Sequence, residues 1–333
     1  MKNSPLVSVV LPTYNRSEWL QTSIGSVLSQ TYSHWKLIVW DDGSTDNTED
    51  VVRLFNDERI RYFKGSNKGA AYARNCAIEN SRGDYIAFLD SDDQWLAEKL
   101  SRQVDILGKY PFIDFLFGNY ANFNLASGIN GTGFTQNKKG MDNLKSRLLE
   151  KDIFQVIEGM PESLFISNFI ATDTVMVKRQ TLINVGKLNE NLRNSEDLEY
   201  WWRMGLKGIK FAYLDEILIN RNKPPDSLSS PSLANYQNCL SALDSCRAEA
   251  LKNGRIDLVK RLKDSYRSAW LGLLRQYNIQ GERRKAIGAF VKSCKYGMNW
   301  VSCFLITEAI FGYKNTDRIK RLMKIGLRNI PVQ

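Results

Sequence analysis

The chain has 333 residues, of which 43% are hydrophobic and 25% charged, and its net charge is +10; this is enough for one large domain or two moderate ones around a substantial core. Its five cysteines are odd in number and lack metal-ligand spacing, which speaks against a disulfide framework and fits reduced thiols in a cytosolic compartment. No run approaches the roughly 20 apolar residues that a membrane span requires, and Met1–Pro5 leads into a strand with no signal-like apolar region.

The charge is unevenly placed: Gly281–Gln333 carries 11 Lys/Arg against 3 Asp/Glu. A basic chain invites a nucleic-acid partner. Here the basic end is a tail on a domain with acidic clusters of its own, which fits an anionic surface better and predicts no nucleic acid.

In chain order, Leu6–Leu11 is a β-branched apolar run ending in Pro12-Thr13-Tyr14-Asn15-Arg16. Ser17 is a good N-cap for a helix in which Trp19, Ile24, Val27 and Leu28 recur at helical spacing. Trp35–Trp40 is a second strand, ending in Asp41-Asp42-Gly43-Ser44-Thr45-Asp46, with a helix over Thr48–Phe55. Ile60–Phe63 is a third strand. Asn67-Lys68-Gly69 opens a helix containing Arg74. Tyr85–Leu89 is a fourth strand and runs straight into Asp90-Ser91-Asp92-Asp93.

Alternation of strand and helix at this pace predicts an α/β fold with a mostly parallel sheet between helices. Ligands of such sheets sit beyond the carboxyl ends of the strands, and the four polar clusters lie there. Three carboxylates within four residues repel one another by about 2–3 kcal/mol per pair at an effective dielectric near 20. A divalent cation is the simplest offset, and hard oxygen ligands suit Mg²⁺ or Mn²⁺ shared with substrate phosphates. A solvated acidic turn with a helix N-cap is the other reading of that segment alone.

The motifs V-V-L-P-T-Y-N-R, D-D-G-S-T-D, N-K-G-A-A-Y-A-R-N and D-S-D-D, in this order over about 90 residues, make residues 6–120 resemble the donor half of family 2 glycosyltransferases of the GT-A fold. Tyr14 can supply a flat face for a base, where stacking is worth about 1–3 kcal/mol, and Asp42 can accept from a pyrimidine imide N–H, which favours a UDP-linked donor. The resemblance implies the same pairing, with Pro12, Thr13 and Asn15 beside the base and Asp41 next to Asp42. Tyr14 as a helix-capping aromatic, and Asp41 and Asp42 as turn residues, are the structural alternatives. Gly69 lets backbone approach the phosphates and Arg74 can bridge them with its fork; a structural ion pair is the alternative for Arg74. By resemblance Asp92 is the direct metal ligand, Asp90 serves the ribose or the metal shell with Ser91 beside it, and Asp93 caps or supports.

Leu96–Lys109 reads as a helix and Phe112–Tyr120 as an aromatic-rich strand. Ser127–Gly140, polar with four glycines, is a loop or loose hairpin, and Met141–Ser167 carries no chemical signal. Val175–Lys178 is a short strand. Asn194-Ser195-Glu196-Asp197 opens a helix containing Leu198, Trp201, Trp202 and Leu206, with Asn194 or Ser195 as cap and two acids where a helix N-terminus favours them. In the resembling enzymes an E-D pair follows the donor half by about a hundred residues, and its Asp takes the acceptor proton. That implies a general base at Asp197, with Glu196 positioning acceptor or metal. The Q-x-x-R-W motif of processive synthases is missing after Asp197, which favours addition of one sugar over polymerisation.

Lys210–Tyr213 and Ile217–Arg221 finish the sheet, and Asn222–Ser232 reads as a linker. The expected organisation is a catalytic domain over 1–222 (donor half to about 120, acceptor half 121–222), a linker over 223–232 and a basic helical region over 233–333. Helices are expected over Ala234–Asn253, Asp257–Tyr277, Arg283–Lys295, near Trp300–Phe311 and over Asp317–Asn329. The last is amphipathic and basic, open either to an anionic bilayer or to packing on the catalytic domain.

The function expected is inverting, metal-dependent transfer of one sugar from a nucleotide-sugar to a saccharide or lipid-linked acceptor, in the cytoplasm or at the inner face of its membrane. A nucleotidyltransferase would need a Gly-rich basic loop after the first strand, where P-T-Y-N-R stands. A non-catalytic basic binding module would not need acidic clusters at several strand ends. His34, the one histidine, has no assigned role.

Overall fold

The computed structural model describes residues 4–124, 128–222, 231–298 and Ile306. The chain divides into two compact units, Met1–Ser227 and Leu228–Gln333.

The first unit begins as a strict alternation: β1 (Val7–Thr13), α1 (Ser17–Leu28), β2 (Trp35–Asp41), α2 (Thr48–Arg53), β3 (Ile60–Lys64), α3 (Ala70–Glu79) and β4 (Tyr85–Phe88). These strands pair in the order β3-β2-β1-β4, all parallel. Every residue of β1 is buried, as expected of a parallel strand covered on both faces. Val9 and Leu11 on β1 and Leu37 and Val39 on β2 share a core with Leu20, Ile24 and Val27 of α1. Register fixes the site: Thr13 lies beside Asp41, and Asp41 beside Lys64, so the three strands finish level.

Next come β5 (Gln94–Trp95), α4 (Lys99–Lys109), β6 (Phe115–Asn124), β7 (Gly128–Thr132), the short helices α5 (Gly133–Gln136) and α6 (Lys138–Asp142), and the hairpin β8 (Lys145–Glu150) and β9 (Ile153–Glu158). The unit closes with two 3-10 turns at Glu162–Phe165 and Thr172–Thr174, then β10 (Met176–Lys178), α7 (Arg179–Val185), α8 (Glu196–Leu206) and β11 (Phe211–Arg221). The sheet continues β4-β10-β6-β11-β9-β8. β10 runs antiparallel to both neighbours, and β6 and β11 are parallel to each other. The result is a mixed sheet whose donor half is entirely parallel, flanked by helices.

Several local expectations change. Helix α1 starts after Arg16 with no side-chain cap; instead Asp46 Oδ2 accepts from the Ser17 N–H at 3.1 Å, so a neighbouring loop does the capping. The helix expected from Leu96 starts at Lys99, because Gln94 and Trp95 pair with Asn220 and Ile219 of β11. Of the loop or loose hairpin expected over 127–140, the described part is a hairpin: a strand paired to β6, followed by α5 and part of α6, two short helices that were not expected. Two strands expected over 210–221 are one strand, bulged between Leu214 and Ile219. Trp201 and Trp202 are core residues: Trp201 packs edge-on to Phe88 and Phe115, and Trp202 against Phe165.

The second unit holds α9 (Leu233–Lys252), α10 (Ile256–Ile279) and α11 (Arg283–Cys294). Ser232 caps α9 by accepting from the Asn235 N–H at 3.1 Å. Gly272 of α10 permits a close approach: a Cβ there would lie 2.2 Å from the Tyr236 ring. Tyr266 donates to Asp244 Oδ1 at 2.6 Å and stacks on Tyr296. No helix among the described residues is long and apolar enough to cross a membrane. Residues 223–230 of the linker expected over 223–232, and the helices expected near Trp300–Phe311 (Ile306 apart) and over Asp317–Asn329, lie outside the described residues.

Candidate active site

The first two strand ends are stitched together. Asn15 stands at φ 50°, a left-handed conformation that Asn tolerates. Its N–H donates to Ser44 Oγ at 2.9 Å and its Oδ1 accepts from the Thr45 N–H at 2.8 Å. Pro12 and Thr13 are buried at the end of β1, while the Tyr14 ring is 44% exposed and available as a stacking face. Asp41 is fully buried and committed to its turn: Oδ1 accepts from the Ser44 N–H at 2.7 Å and Oδ2 from the Tyr62 hydroxyl at 2.6 Å. Asp42 accepts the Lys68 N–H at 3.0 Å and the Gly69 N–H at 2.7 Å. Burial nonetheless pushes its carboxyl above the usual range. Gly69, at φ 101°, begins α3, and a Cβ there would lie 3.1 Å from the Arg193 guanidinium.

The D-S-D-D turn at the end of β4 is gripped from three elements. Ser23 of α1 donates to the Ser91 and Asp93 carbonyls at 2.7 and 2.8 Å. Asn222, just past β11, donates its N–H to Asp93 Oδ1 at 2.7 Å and its side-chain amide to the Asp92 carbonyl at 2.8 Å. Asp173, in the Thr172–Thr174 turn, accepts the Asp90 N–H at 2.6 Å. Oxygens of Asp90, Asp93 and Asp173 lie within 4.8 Å of one another. Burial, then the neighbouring Asp90, pushes Asp173 up to about 7. Burial and then Asp173 raise Asp93 well above the carboxylate range, and burial and then Asp90 raise Asp92. Arg221, over the Tyr120 ring, adds positive field from β11.

Helix α8 opens opposite this turn. Ser195 occupies the cap position in left-handed conformation, φ 62°, and its side chain makes no cap bond. The Asn194 side chain instead accepts from the Ser195 N–H at 2.5 Å. The buried guanidinium of Arg74 joins the two halves: it donates to Asp90 Oδ1 at 2.6 Å and pairs with Glu196. Burial raises the Glu196 carboxyl against the pull of Arg74. Asp197, half-buried, accepts the Leu198 N–H on Oδ1 at 2.7 Å and the Thr172 hydroxyl on Oδ2 at 3.2 Å.

The structure therefore brings Arg74, Asp90 and Glu196 into direct contact, with Asp197 one residue along the same helix turn. Asp92 is not one of the three clustered carboxylates; Asp93, expected only to cap or support, is. Four residues that hold the site went unread in the sequence: Ser23, Thr172, Asp173 and Asn222, the last taken for the start of a linker. Only Asp173 had a usable signal, a carboxylate in the polar T-D-T step between the apolar runs Phe169–Ile170 and Val175–Val177.

The glycosyl transferase family 2 profile matches residues 8–153. TuaG of Bacillus subtilis, a putative teichuronic acid biosynthesis glycosyltransferase, is 31% identical over 230 residues, covering 68% of this chain and 82% of TuaG. This chain belongs to glycosyl transferase family 2. WfgD of Escherichia coli, a UDP-Glc:α-D-GlcNAc-diphosphoundecaprenol β-1,3-glucosyltransferase, is 48% identical over 120 residues, 36% of this chain and 47% of WfgD, so the match spans about half of that relative. Among solved structures, S. aureus TarS 1–349 in complex with UDP superposes with a TM-score of 0.60 at 15% identity, covering 92% of this chain and 91% of that one, which shows a common fold. Family membership makes the chain a glycosyltransferase in kind, and the fold is GT-A.

Family members of this fold commonly use a divalent cation, and the residues present fit one. The donors are hard carboxylate oxygens, and burial and mutual repulsion hold Asp92, Asp93 and Asp173 above their ordinary range. A nearby dication relieves that kind of environment.

Proposed function

We propose that this family 2 glycosyltransferase moves one sugar, with inversion, from a UDP-sugar to a saccharide hydroxyl carried on a lipid diphosphate, in glycan synthesis. The observation that carries the reading is the Arg74 bridge. It sets Glu196 and the opening of α8 against Asp90 of the D-S-D-D turn, which supports reading an acceptor base beside a diphosphate site. The UDP complex of TarS supports the donor class, and the printed activity of WfgD supports the lipid-linked acceptor.

In this reading the uracil stacks on Tyr14, beside Pro12, Thr13 and Asn15. Asp42 accepts the imide N–H with a lone pair left over from its backbone bonds, since a carboxylate offers about four. Asp41 holds the turn beneath. Asp92 and Asp90, with Ser91 between them, hold Mg²⁺ or Mn²⁺, which when bound supplies positive charge to the leaving diphosphate. Gly69 keeps the start of α3 clear for phosphate. The Arg74 fork reaches the diphosphate by exchanging one of its carboxylate partners. Asp197 takes the proton of the acceptor hydroxyl as that oxygen attacks the anomeric carbon. The new C–O bond forms on the face opposite the breaking bond to the diphosphate. Glu196 keeps Arg74 in place and borders the acceptor.

The basic end brings the enzyme to the inner face of an anionic membrane, where a lipid-linked acceptor resides. Exposed Arg283 and Arg284 beside exposed Ile287 and Val291 on α11 support that placement. The test is UDP release from UDP-glucose in the presence of a short-chain α-GlcNAc-diphosphate lipid, compared between the parent and Asp197→Asn. Acceptor-dependent release that collapses in the variant supports the reading; release at the parent rate removes Asp197 as the base.

A further inference from the structure

The Thr172–Thr174 turn supplies Asp173 to the carboxylate cluster at the D-S-D-D turn and also reaches the acid at the opening of α8. Asp173 accepts the Asp90 N–H at 2.6 Å, and its carbonyl accepts from Trp95 Nε1 at 3.1 Å. The Thr174 carbonyl accepts from Gln103 Nε2 of α4 at 2.8 Å, and the Thr174 hydroxyl donates to the Ala171 carbonyl at 2.7 Å. The turn is thus pinned to the donor side of the molecule, and its three residues are buried. From it the Thr172 hydroxyl reaches Asp197 Oδ2 at 3.2 Å.

We propose that Thr172 is a positioning residue for the acceptor base, fixing the direction of the Asp197 carboxylate by reference to the turn that also holds the D-S-D-D segment. This rests on the reading of Asp197 as the base. The terminal torsion of an Asp side chain is broad and roughly two-fold, and the Leu198 N–H holds only Oδ1. A second bond to Oδ2 removes the remaining swing. Threonine is suited to the task because its branched Cβ restricts χ1. The charged groups beside Asp197, Glu196 and Arg74, are paired with each other and set the local field rather than the orientation. Losing the Thr172 hydroxyl would leave Asp197 less well aimed, and small misplacements of a catalytic group cost large factors in rate.

The test uses the full chain with UDP-glucose and a short-chain α-GlcNAc-diphosphate lipid. Thr172→Val, nearly isosteric, is expected to lose about tenfold or more in kcat. Its KM for UDP-glucose and its affinity for UDP should stay within about twofold. Thr172→Ser, which keeps the hydroxyl, is expected to recover kcat to within about threefold of the parent. A Val variant within twofold of the parent kcat, or a Ser variant as slow as Val, overturns the proposal. Should Val prevent folding, Ala against Ser makes the same comparison: Ser faster by about tenfold supports it, and equal rates overturn it. Asp197→Asn at the parent rate would sink the base assignment itself. Collapse of Asp197→Asn alongside an unaffected Thr172→Val sinks this inference alone.

Discussion

The acids that end β4 and the acids that open α8 are joined through Arg74 but are held in opposite ways. At the D-S-D-D turn the backbone is tied down by Ser23, Asn222 and Asp173, while burial and mutual repulsion resist the charge on Asp92 and Asp93. At α8, Glu196 is already paired with Arg74, and Asp197 keeps partial exposure beside a single hydroxyl. Under the proposed function, the first site is completed by a cation and its phosphates, and the second leaves Asp197 to take the acceptor proton. That division of labour is what a transfer with a charged leaving group and a neutral nucleophile requires.

The first test of that division falls on Asp197. Asp197→Asn should lower kcat by about 10²–10⁴-fold, the usual range for losing a general base, with UDP affinity unchanged in calorimetry. If UDP binding fell together with kcat, Asp197 would belong to the donor side and the division would be wrong. Next is the joint itself. Arg74→Met leaves Asp90 and Glu196 without their shared cation, and removing one partner of a buried pair costs about 3–5 kcal/mol. The melting temperature should fall by about 10 °C. Adding Glu196→Gln should return part of the loss; additive effects in that double-mutant cycle would mean the pair is not coupled.

The smallest effect sharpens the donor side. Lys99 of α4 is buried, its ammonium without a hydrogen-bond partner and 3.7 Å from the Trp95 ring centroid. Burial holds its pKa well below the ordinary 10.5, against the pull of Asp173. Between that depressed value and 10.5 the unfolded chain binds the extra proton. The parent therefore gains stability as pH rises through this window and lacks it below. Lys99→Met should raise stability by about 1 kcal/mol near neutral pH and flatten that pH dependence in denaturant titrations. A marked loss of stability instead would show that the charge is needed beneath the turn.

The parallel half was legible because β-branched runs such as Val7–Leu11 end in polar clusters, and because three acids crowded into Asp90–Asp93 need an explanation on charge alone. What holds those acids was not. Thr172 and Asp173 sit in a three-residue 3-10 turn too short for any periodicity, and Asp173 meets Asp90 from 83 positions away. Asn222 heads a stretch whose Pro and Ser content reads as linker, while its contacts to Asp92 and Asp93 reach back about 130 residues. The cap of α1 shows the same thing on a smaller scale: Ser17 has the right chemistry, yet Asp46 from the next loop does the work. Local patterns locate elements and charge; contacts across the sheet decide which side chain serves which.

Under the proposed function, the acidic turn binds a nucleoside diphosphate together with a divalent cation. Titrating UDP into the protein by calorimetry, with Mn²⁺ and then with EDTA, tests this. Heat of binding with Mn²⁺ that is largely lost in EDTA and in Asp92→Asn is the expected result. Equal heat in EDTA, or none with UDP and Mn²⁺ together, would contradict it.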